Sequence, residues 1–343
     1  MKKSFHSFFR CPHVFRTSGI HCYKSFPGPV MKKLLYGCFI LLLFILILLF
    51  PKIAIAGASR GLLLWFQVLI PTLFPFMLLC RLLLKTRLLA VIARILYPVL
   101  GKLFGTTPEG AYCVLTGFLC GYPMGADAVS SLYREKVFSK AHAHYLICFC
   151  NNVSGGFLSG FILTSCLHNQ RLMLPCALLL YGIPVLFSFL LRHMRPYASE
   201  LPAGGCFGRF TKGFSDMKFA DFNECIRESL AAIGQLGGYV ILFCILSQFF
   251  LSLPLPSLRL KSILAGILEI TSGIPLIAST PFSPPAAFAL ILACASFGGL
   301  SGAAQTWGIL KPCGLSLRIY LISKAIQALV TGAAAFLLGL YLF

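Results

Sequence analysis

The chain has 343 residues, of which 58% are hydrophobic and 11% are charged, and its mean hydropathy is +0.87. A water-soluble domain of this length could not bury so much apolar surface, so the composition predicts an all-α polytopic membrane protein in contact with the lipid bilayer. A membrane β-barrel is excluded because the apolar runs are continuous rather than alternating. The net charge of +20 would suit a nucleic-acid partner, but the basic residues lie mainly in loops between apolar runs, as they do in the cytoplasmic loops of membrane proteins.

Residues 1–30 differ from the rest of the chain because they are polar, basic and aperiodic. Met31, followed by two lysines and a long apolar run, resembles the ordinary start of a bacterial membrane protein. We therefore expect residues 1–30 to be a disordered tail or a mis-assigned start. Residues 31–56 are expected to carry an uncleaved N-terminal transmembrane helix, because no small-residue cleavage site precedes a soluble domain.

Apolar segments recur along the chain at the lengths of membrane and re-entrant helices. They fall at about 34–50, 60–84, 109–133, 139–166, 172–192, 225–251, 258–280, 285–308 and 315–342. A weaker segment at 88–105 carries Arg94 and Lys102 among apolar residues. This pattern predicts an amphipathic helix that lies at the membrane interface.

The two halves of the chain resemble each other. "CGYP" at 120–123 matches "SGIP" at 272–275, and "GGFLSG" at 155–160 matches "GGLSG" at 298–302, in the same order. Internal repeats in a membrane protein of this size predict two structural halves around a central site. The predicted organisation is a first repeat at 57–192, a basic cytoplasmic linker at 193–224 and a second repeat at 225–343.

Charge predicts the topology of these repeats. Basic loops at 85–102, 134–140, 192–218 and 311–324 are placed in the cytoplasm by the positive-inside rule. Segment 109–133 has basic loops on both sides, so it is predicted to be a re-entrant hairpin. The second half then starts inside and repeats the first half upside down, with the C-terminus outside.

Glycine–proline sequences inside apolar segments predict broken helices. Proline removes an amide donor and glycine permits a sharp turn, so breaks are expected at Gly121-Tyr122-Pro123 and at Gly273-Ile274-Pro275. Such backbone is tolerated at membrane depth where it is buried in protein or lines a cavity. The half-helix ends that a break exposes attract anions with their amides.

Polar residues near these breaks are the candidate site. The predicted substrate-binding residues are Gly121, Tyr122, Pro123, Gly125, Asn151, Asn152, Ser154, Thr271, Ser272, Gly273 and Gln305. Asp127 and Glu269 are predicted coupling residues, since ionisable groups at membrane depth usually face a cavity or a partner. Two alternatives stay open: the acids are solvated near the interface, and the asparagines hold helices together by hydrogen bonds.

No enzyme motif, metal site or resident cofactor is predicted. The sequence lacks GxSxG, HExxH and Walker A patterns. His142 and His144 are two residues apart, so on a helix they point in different directions. A coupling H⁺ or Na⁺ is the one ion that the intramembrane acids suggest.

Five segments together resemble the sporulation integral membrane proteins that carry nucleoside-recognition, or Gate, domains. They are "GLLLWFQVLIPTLFPF" (61–76), "CGYPMGA" (120–126), "FCNNVSGGF" (149–157), "GILEITSGI" (266–274) and "FGGLSGAAQ" (297–305). The resemblance covers about residues 57–340. It implies two inverted halves with broken helices, on a scaffold similar to that of the concentrative nucleoside transporters.

The resemblance also implies a function, the movement of dipicolinate across the outer forespore membrane. Family members often carry a basic residue where this chain has Asp127, so the chain departs from the pattern there. The leading hypothesis is a membrane transporter of a small organic anion. The alternatives are a transporter of nucleosides or other small polar solutes, and a non-transporting assembly factor of the forespore membrane. The oligomeric state is not predicted.

Overall fold

The computed structural model describes residues 29–86, 88–137, 139–194, 218–254 and 257–343. Within these ranges the regular structure is helical and no strand is present, which confirms the predicted all-α class. Residues 1–28 of the predicted tail and residues 195–217 of the predicted linker lie outside the described residues.

The helices follow one another with short connections. In the first half they are α1 (Pro29–Leu49), α2 (Pro51–Leu64), α3 (Ile70–Lys85), α4 (Leu88–Phe104), α5 (Pro108–Cys120), α6 (Met124–Arg134), α7 (Lys140–Cys150) and α8 (Met173–Met194). In the second half they are α9 (Phe219–Ser252), α10 (Leu258–Leu268), α11 (Ile270–Ser279), α12 (Pro284–Phe297), α13 (Gly299–Leu310) and α14 (Leu317–Leu342). Two π-helical segments, Trp65–Leu69 and Phe157–Cys166, join α2 to α3 and follow α7.

Several of these helices are long and apolar enough to cross a membrane, which makes the chain a multi-pass membrane protein. Among the described residues there are five, namely Pro51–Leu69, Gln170–His193, Phe219–Ser252, Pro284–Cys313 and Leu317–Leu342. There are six if α4 and α5, which meet at 92°, form one bent span. Their outward side chains are apolar, which suits contact with lipid.

The chain divides into two compact units between residues 49 and 50, and α1 belongs to the first unit. Its apolar stretch Gly37–Leu49 is shorter than a full membrane span. Leu34, Phe39 and Ile40 are more than half exposed. A new helix begins at Pro51, with proline at its first position where no amide donor is needed.

Both halves contain three similar helical elements in the same order. In the first half these are the helical hairpin α5–α6, the pair formed by α7 and the π-helical segment 157–166, and the long helix α8. In the second half they are the hairpin α10–α11, the pair α12–α13 and the long helix α14. The division into repeats at 57–192 and 225–343 stays a prediction.

The helices that begin the two repeats run antiparallel to each other. Trp65, in the π-helical segment between α2 and α3, donates from Nε1 to the carbonyl oxygen of Ile233 on α9 at 2.8 Å. Further along, Arg81 pairs with Glu228, so residue numbers rise on α3 as they fall on α9. Opposite directions for corresponding helices are what an inverted repeat requires.

Each hairpin is closed by a pair of glycines that flank its tip. A side chain at Gly117 would overlap the backbone oxygen of Cys150 and press on the backbone of Gly125. In the second hairpin, a side chain at Gly273 would overlap the backbone of Gly266. The two arms of each hairpin therefore approach as closely as their backbones allow.

The predicted break at Gly273-Ile274-Pro275 is wrong. Helix α11 runs through all three residues, and the break lies at Glu269, between α10 and α11. Glu269 adopts an extended backbone, and its carboxylate accepts the amide of Ser272, so the new helix can start at Ile270. Gly273 lies inside α11, where it allows close packing of the two hairpin arms and does not form a turn.

The predicted basic loop at 311–324 also needs correction. Helix α14 begins at Leu317, and Lys324 lies inside it with 1% of its surface exposed. Apolar residues on both sides of Lys324 continue the helix, whereas the turn itself ends at Ser316. A positive charge that the sequence placed in a loop is therefore buried among helices.

The glycine packing predicts a strong effect of Gly117→Ala on stability. The added methyl would meet the carbonyl oxygen of Cys150, and overpacking of this kind costs about 1–3 kcal/mol. Gly182→Ala is the matched control, since α8 has open space there and alanine favours a helix. Thermal unfolding in detergent should show a lower midpoint for Gly117→Ala and no loss for Gly182→Ala. Equal midpoints would contradict the packing described here.

Candidate functional site

The broken elements of both halves meet at one place. Gly121, at the tip of the first hairpin, packs against the backbone of Ser154, where the chain unwinds between α7 and the π-helical segment. Tyr122 reaches across to the other half, and its hydroxyl donates to the carbonyl oxygen of Ser296 at 3.2 Å. Gly299, at the start of α13, lies against Ile270 at the tip of the second hairpin.

A cavity of about 360 Å³ lies where these breaks meet. Its walls come from α3, α9, both hairpin tips, the unwound segment after α7 and the length of α13. The lining residues include Met77, Tyr122, Pro123, Ser154, Phe157, Gln235, Glu269, Thr271, Gly298, Ser301, Gly302 and Gln305. A cavity of this size suits a small ligand held by apolar surfaces and a few polar groups.

Glu269 is the acidic group of this cavity. It is 2% exposed, and its Oε2 accepts from the amide of Ser272 and from the hydroxyl of Thr271, both at 2.6 Å. The carboxylate thus caps the N-terminus of α11, where helix geometry leaves amides without acceptors. Glu269 is both a wall of the cavity and the residue that stabilises the second break.

Lys324 is a buried lysine just behind the cavity wall. Its Nζ donates to Oδ1 of Asn152 at 3.1 Å and lies 5.3 Å from the centroid of the Tyr122 ring. The ion pairs found among the described residues lie elsewhere, between α3 and α9. An amide oxygen and an aromatic face compensate a buried ammonium group less fully than a carboxylate would.

Asn151 joins three elements behind the cavity. Its Nδ2 donates to the hydroxyls of Thr306 on α13 and Tyr320 on α14, at 3.1 and 3.2 Å. Its Oδ1 accepts the amide of Ala126 on α6 at 3.4 Å. Asn151 is fully buried and is not a lining residue. Its contacts therefore fit the alternative reading, in which asparagines link helices by hydrogen bonds, better than the predicted role in substrate binding.

The structure brings some of the predicted site residues to the cavity and leaves others behind it. The lining residues are Tyr122, Pro123, Ser154, Glu269, Thr271 and Gln305. The residues that support the wall or pack behind it are Gly121, Gly125, Asn151, Asn152, Ser272 and Gly273. Asp127 is on α6, a turn beyond the tip, and is not a lining residue.

A polar face on α14 was missed at the sequence level. Tyr320, Lys324, Gln327 and Thr331 recur at helical spacing, and all are 1% exposed or less. The Gln327 amide donates to the carbonyl oxygen of Cys148 at 2.6 Å. The repeat of polar residues every three to four positions within an apolar run was the available signal, since these positions share one face of a helix.

Charged residues link α3 and α9 beyond the cavity lining. Beyond Met77 on α3, Arg81 pairs with Glu228 at 2.6 Å, and Lys85 pairs with Glu224 at 2.5 Å. The hydrogen bond to Glu224 raises the pKa of Lys85 above its usual value. These pairs link α3 to α9 and so join the two repeats where their helices leave the apolar region.

The fold defines a polytopic helical membrane protein with broken helices around a cavity. Residues 66–166 match the family model described as nucleoside recognition, or Gate. The chain is also 23% identical over 338 residues to the sporulation integral membrane protein YlbJ of Bacillus subtilis, with 90% of this chain and 83% of that protein covered. Both matches confirm the resemblance to sporulation membrane proteins with a Gate domain. No solved structure matches the chain, so the likeness to the concentrative nucleoside transporters stays a prediction.

The hydrogen bonds of Asn151 predict a loss of stability in Asn151→Ala. The change leaves two hydroxyls and an amide in a buried region without this partner, at a cost of about 1–3 kcal/mol. Asn169→Ala is the control, because Asn169 is at a surface turn and its side chain accepts from the nearby amide of Arg171. Thermal unfolding in detergent should give a clearly larger loss for Asn151→Ala; equal losses would contradict the linking role.

Proposed function

We propose that this protein moves a small organic anion across the membrane through the central cavity, with dipicolinate as the first candidate. The observation that carries the proposal is the meeting of four helix breaks around one cavity that has Lys324 behind its wall. Discontinuous helices at the interface of two repeats are the usual substrate site of secondary transporters. The buried positive charge favours an anionic substrate over a neutral one.

The cavity also suits a small aromatic acid in size and chemistry. Tyr122 and Phe157 offer aromatic surface, and Ser154, Thr271, Gln235 and Gln305 offer polar groups. In a transporter of this kind, binding energy comes from apolar contact, and a few polar groups orient the substrate. Location in the outer forespore membrane belongs to the same proposal and is supported by the sporulation protein that the chain resembles.

Glu269 is proposed to couple transport to an ion gradient. An ionised carboxylate in the cavity wall would repel a second anion, so proton or cation binding at Glu269 would favour substrate entry. Glu269 also caps α11. An ion bound at Glu269 would therefore share the carboxylate with the Ser272 amide, which forms the cap at the second break. Asp127 is proposed as a secondary coupling residue, although it lies outside the cavity lining.

Two other functions have specific support. The description of the matching family model, nucleoside recognition, favours a transporter of nucleosides or other small polar solutes. The links made by Asn151 and Gln327 favour a non-transporting assembly factor, in which buried polar groups only join helices. Uptake measurements distinguish the three functions.

The central experiment is uptake of labelled dipicolinate into proteoliposomes, with labelled uridine as the comparison. We expect saturable dipicolinate uptake and a rate for uridine no higher than that of empty liposomes. Lys324→Gln should reduce dipicolinate uptake roughly tenfold or more, since it removes a positive charge close to the cavity. Lys311→Gln, an exposed lysine after α13, should leave uptake unchanged. Uridine uptake without dipicolinate uptake would favour the nucleoside transporter, and uptake of neither would favour the assembly factor.

Glu269→Gln tests the coupling role separately from the cap. Glutamine keeps a side-chain oxygen that can accept the Ser272 amide, so the helix start should survive. We expect the variant to lose the dependence of uptake on a pH or Na⁺ gradient. Glu109→Gln is the matched control, since Glu109 is a buried carboxylate (3% exposed) outside the cavity lining. An unchanged gradient dependence in Glu269→Gln would assign the carboxylate to the cap alone.

A further inference from the structure

Helix α4 has two apolar faces that differ in their surroundings. Ala93 and Phe104 lie on one face and are 0% and 2% exposed, so this face packs against the protein. Ile95, Val99 and Leu103 recur every four residues on another face, and they are 71%, 65% and 41% exposed. The protein therefore leaves a continuous apolar stripe of α4 uncovered.

Basic residues border this exposed stripe. Arg94 precedes Ile95 and Lys102 precedes Leu103, so each basic side chain lies about 100° around the helix from its apolar neighbour. Long basic side chains in such positions run their aliphatic stems along apolar surface and keep their charge in water. An exposed apolar face bordered by basic residues is the pattern of a helix that lies in the membrane interface.

The direction of α4 suits this position. Helices α4 and α5 meet at 92°, so they cannot both run along the membrane normal. Most of α5 is buried in the protein as one arm of the first hairpin, whereas α4 keeps its exposed apolar stripe. Helix α4 is therefore the one of the two that fits along the membrane surface.

Helix α8 adds a positively charged group at the end of α4. Arg192, in the last turn of α8, donates from Nη1 to the carbonyl oxygen of Lys102 at 2.8 Å. This carbonyl is one of the last four of α4, which have no amide partner inside an α-helix. Gly105 has a φ of 57°, and a side chain there would overlap Cδ and Nε of Arg192. The guanidinium is thus held against the turn that follows α4.

The held guanidinium keeps donors for a further acceptor. Arginine has several N–H donors in a planar fork, and the bond to the carbonyl oxygen of Lys102 uses one of them. Arg192 and Lys102 are both exposed, and the ion pairs found among the described residues involve neither. Two basic side chains therefore lie at one helix end, next to the exposed Val99 and Leu103.

We propose that the ends of α4 and α8 bind the headgroup of one anionic phospholipid, whose acyl chains lie on the exposed stripe of α4. Arg192 binds the phosphate with the free side of its guanidinium, and Lys102 adds a second positive charge. A negative phosphate joined to apolar chains matches both parts of this surface, whereas a free phosphate would leave the stripe uncovered. The site is separate from the central cavity and does not depend on what the cavity binds.

The predicted topology places this site in the leaflet where anionic lipids act on proteins. The loops at 85–102 and 192–218 are each predicted to be cytoplasmic from their own charge. The hydrogen bond between Arg192 and Lys102 puts these two loops on the same side of the molecule. The cytoplasmic leaflet has a negative surface potential and attracts basic residues close to it.

Native mass spectrometry of the full chain in detergent tests the site, because it measures the affinity of the first bound phospholipid. We expect dioleoyl phosphatidylglycerol to bind more tightly than dioleoyl phosphatidylcholine, which has the same chains and no net charge. Lys102→Gln should weaken phosphatidylglycerol binding about fivefold, the effect of one basic residue near a lipid surface. It should leave phosphatidylcholine binding and the thermal unfolding midpoint unchanged, since the side chain is exposed and the carbonyl oxygen still accepts from Arg192.

Arg192→Lys tests the held guanidinium. Lysine keeps the charge but lacks the planar fork that contacts a carbonyl oxygen and a phosphate together, so phosphatidylglycerol binding should weaken about fivefold or more. Arg171→Gln is the matched control, because it removes one exposed positive charge just before the opposite end of α8. Its affinity for phosphatidylglycerol should equal that of wild type.

Three results would overturn the site. The first is wild-type affinity for phosphatidylglycerol in Lys102→Gln, which decides the matter even if Arg192→Lys unfolds at a lower temperature. The second is an equal loss in Arg171→Gln, because net charge alone would then explain the binding. The third is displacement of the first phosphatidylglycerol by inorganic phosphate at equal concentration, which would assign the two basic residues to a free anion in place of a lipid.

Discussion

The structure depends on one constraint, which is that backbone amides and carbonyls at membrane depth need partners. Continuous helices meet this need internally, but both halves of this chain interrupt their helices in the same region. Each interruption is then supported by a side chain or by the other repeat, as with Asn151 for α6 and Glu269 for α11. The central cavity exists because these supports hold four chain breaks apart from lipid and next to one another.

The same constraint explains where the charges lie. Glu269 is held in a buried position because the Ser272 amide and the Thr271 hydroxyl both donate to its carboxylate. Lys324 is held by an amide oxygen and an aromatic face, so it is less fully compensated. A cavity placed between a capped acid and a partly compensated cation has an electrostatic preference that depends on whether Glu269 is charged. This dependence is the physical argument for the proposed coupling of anion movement to protons or cations.

Close backbone approach gives the site its rigidity. Gly117 and Gly125 in one hairpin and Gly266 and Gly273 in the other bring helix arms together without side chains between them. Interfaces of this kind suit membranes, where small residues allow dense packing in place of a hydrophobic driving force between helices. The hairpin tips are thereby fixed against the breaks of α7 and α12–α13, which keeps the cavity-lining groups in register.

The sequence by itself determined the helical membrane class and the hairpin at 109–133, because hydropathy, charge in loops and glycine–proline breaks are local signals. It also indicated Tyr122, Ser154, Glu269 and Gln305 as candidate residues, which the structure places around one cavity. Only the tertiary structure decided that the second break is at Glu269 and that Lys324 is buried. The reason is that capping, burial and hydrogen-bond satisfaction depend on which distant elements meet, and residues 122 and 298, or 152 and 324, become neighbours only when the two repeats pack together.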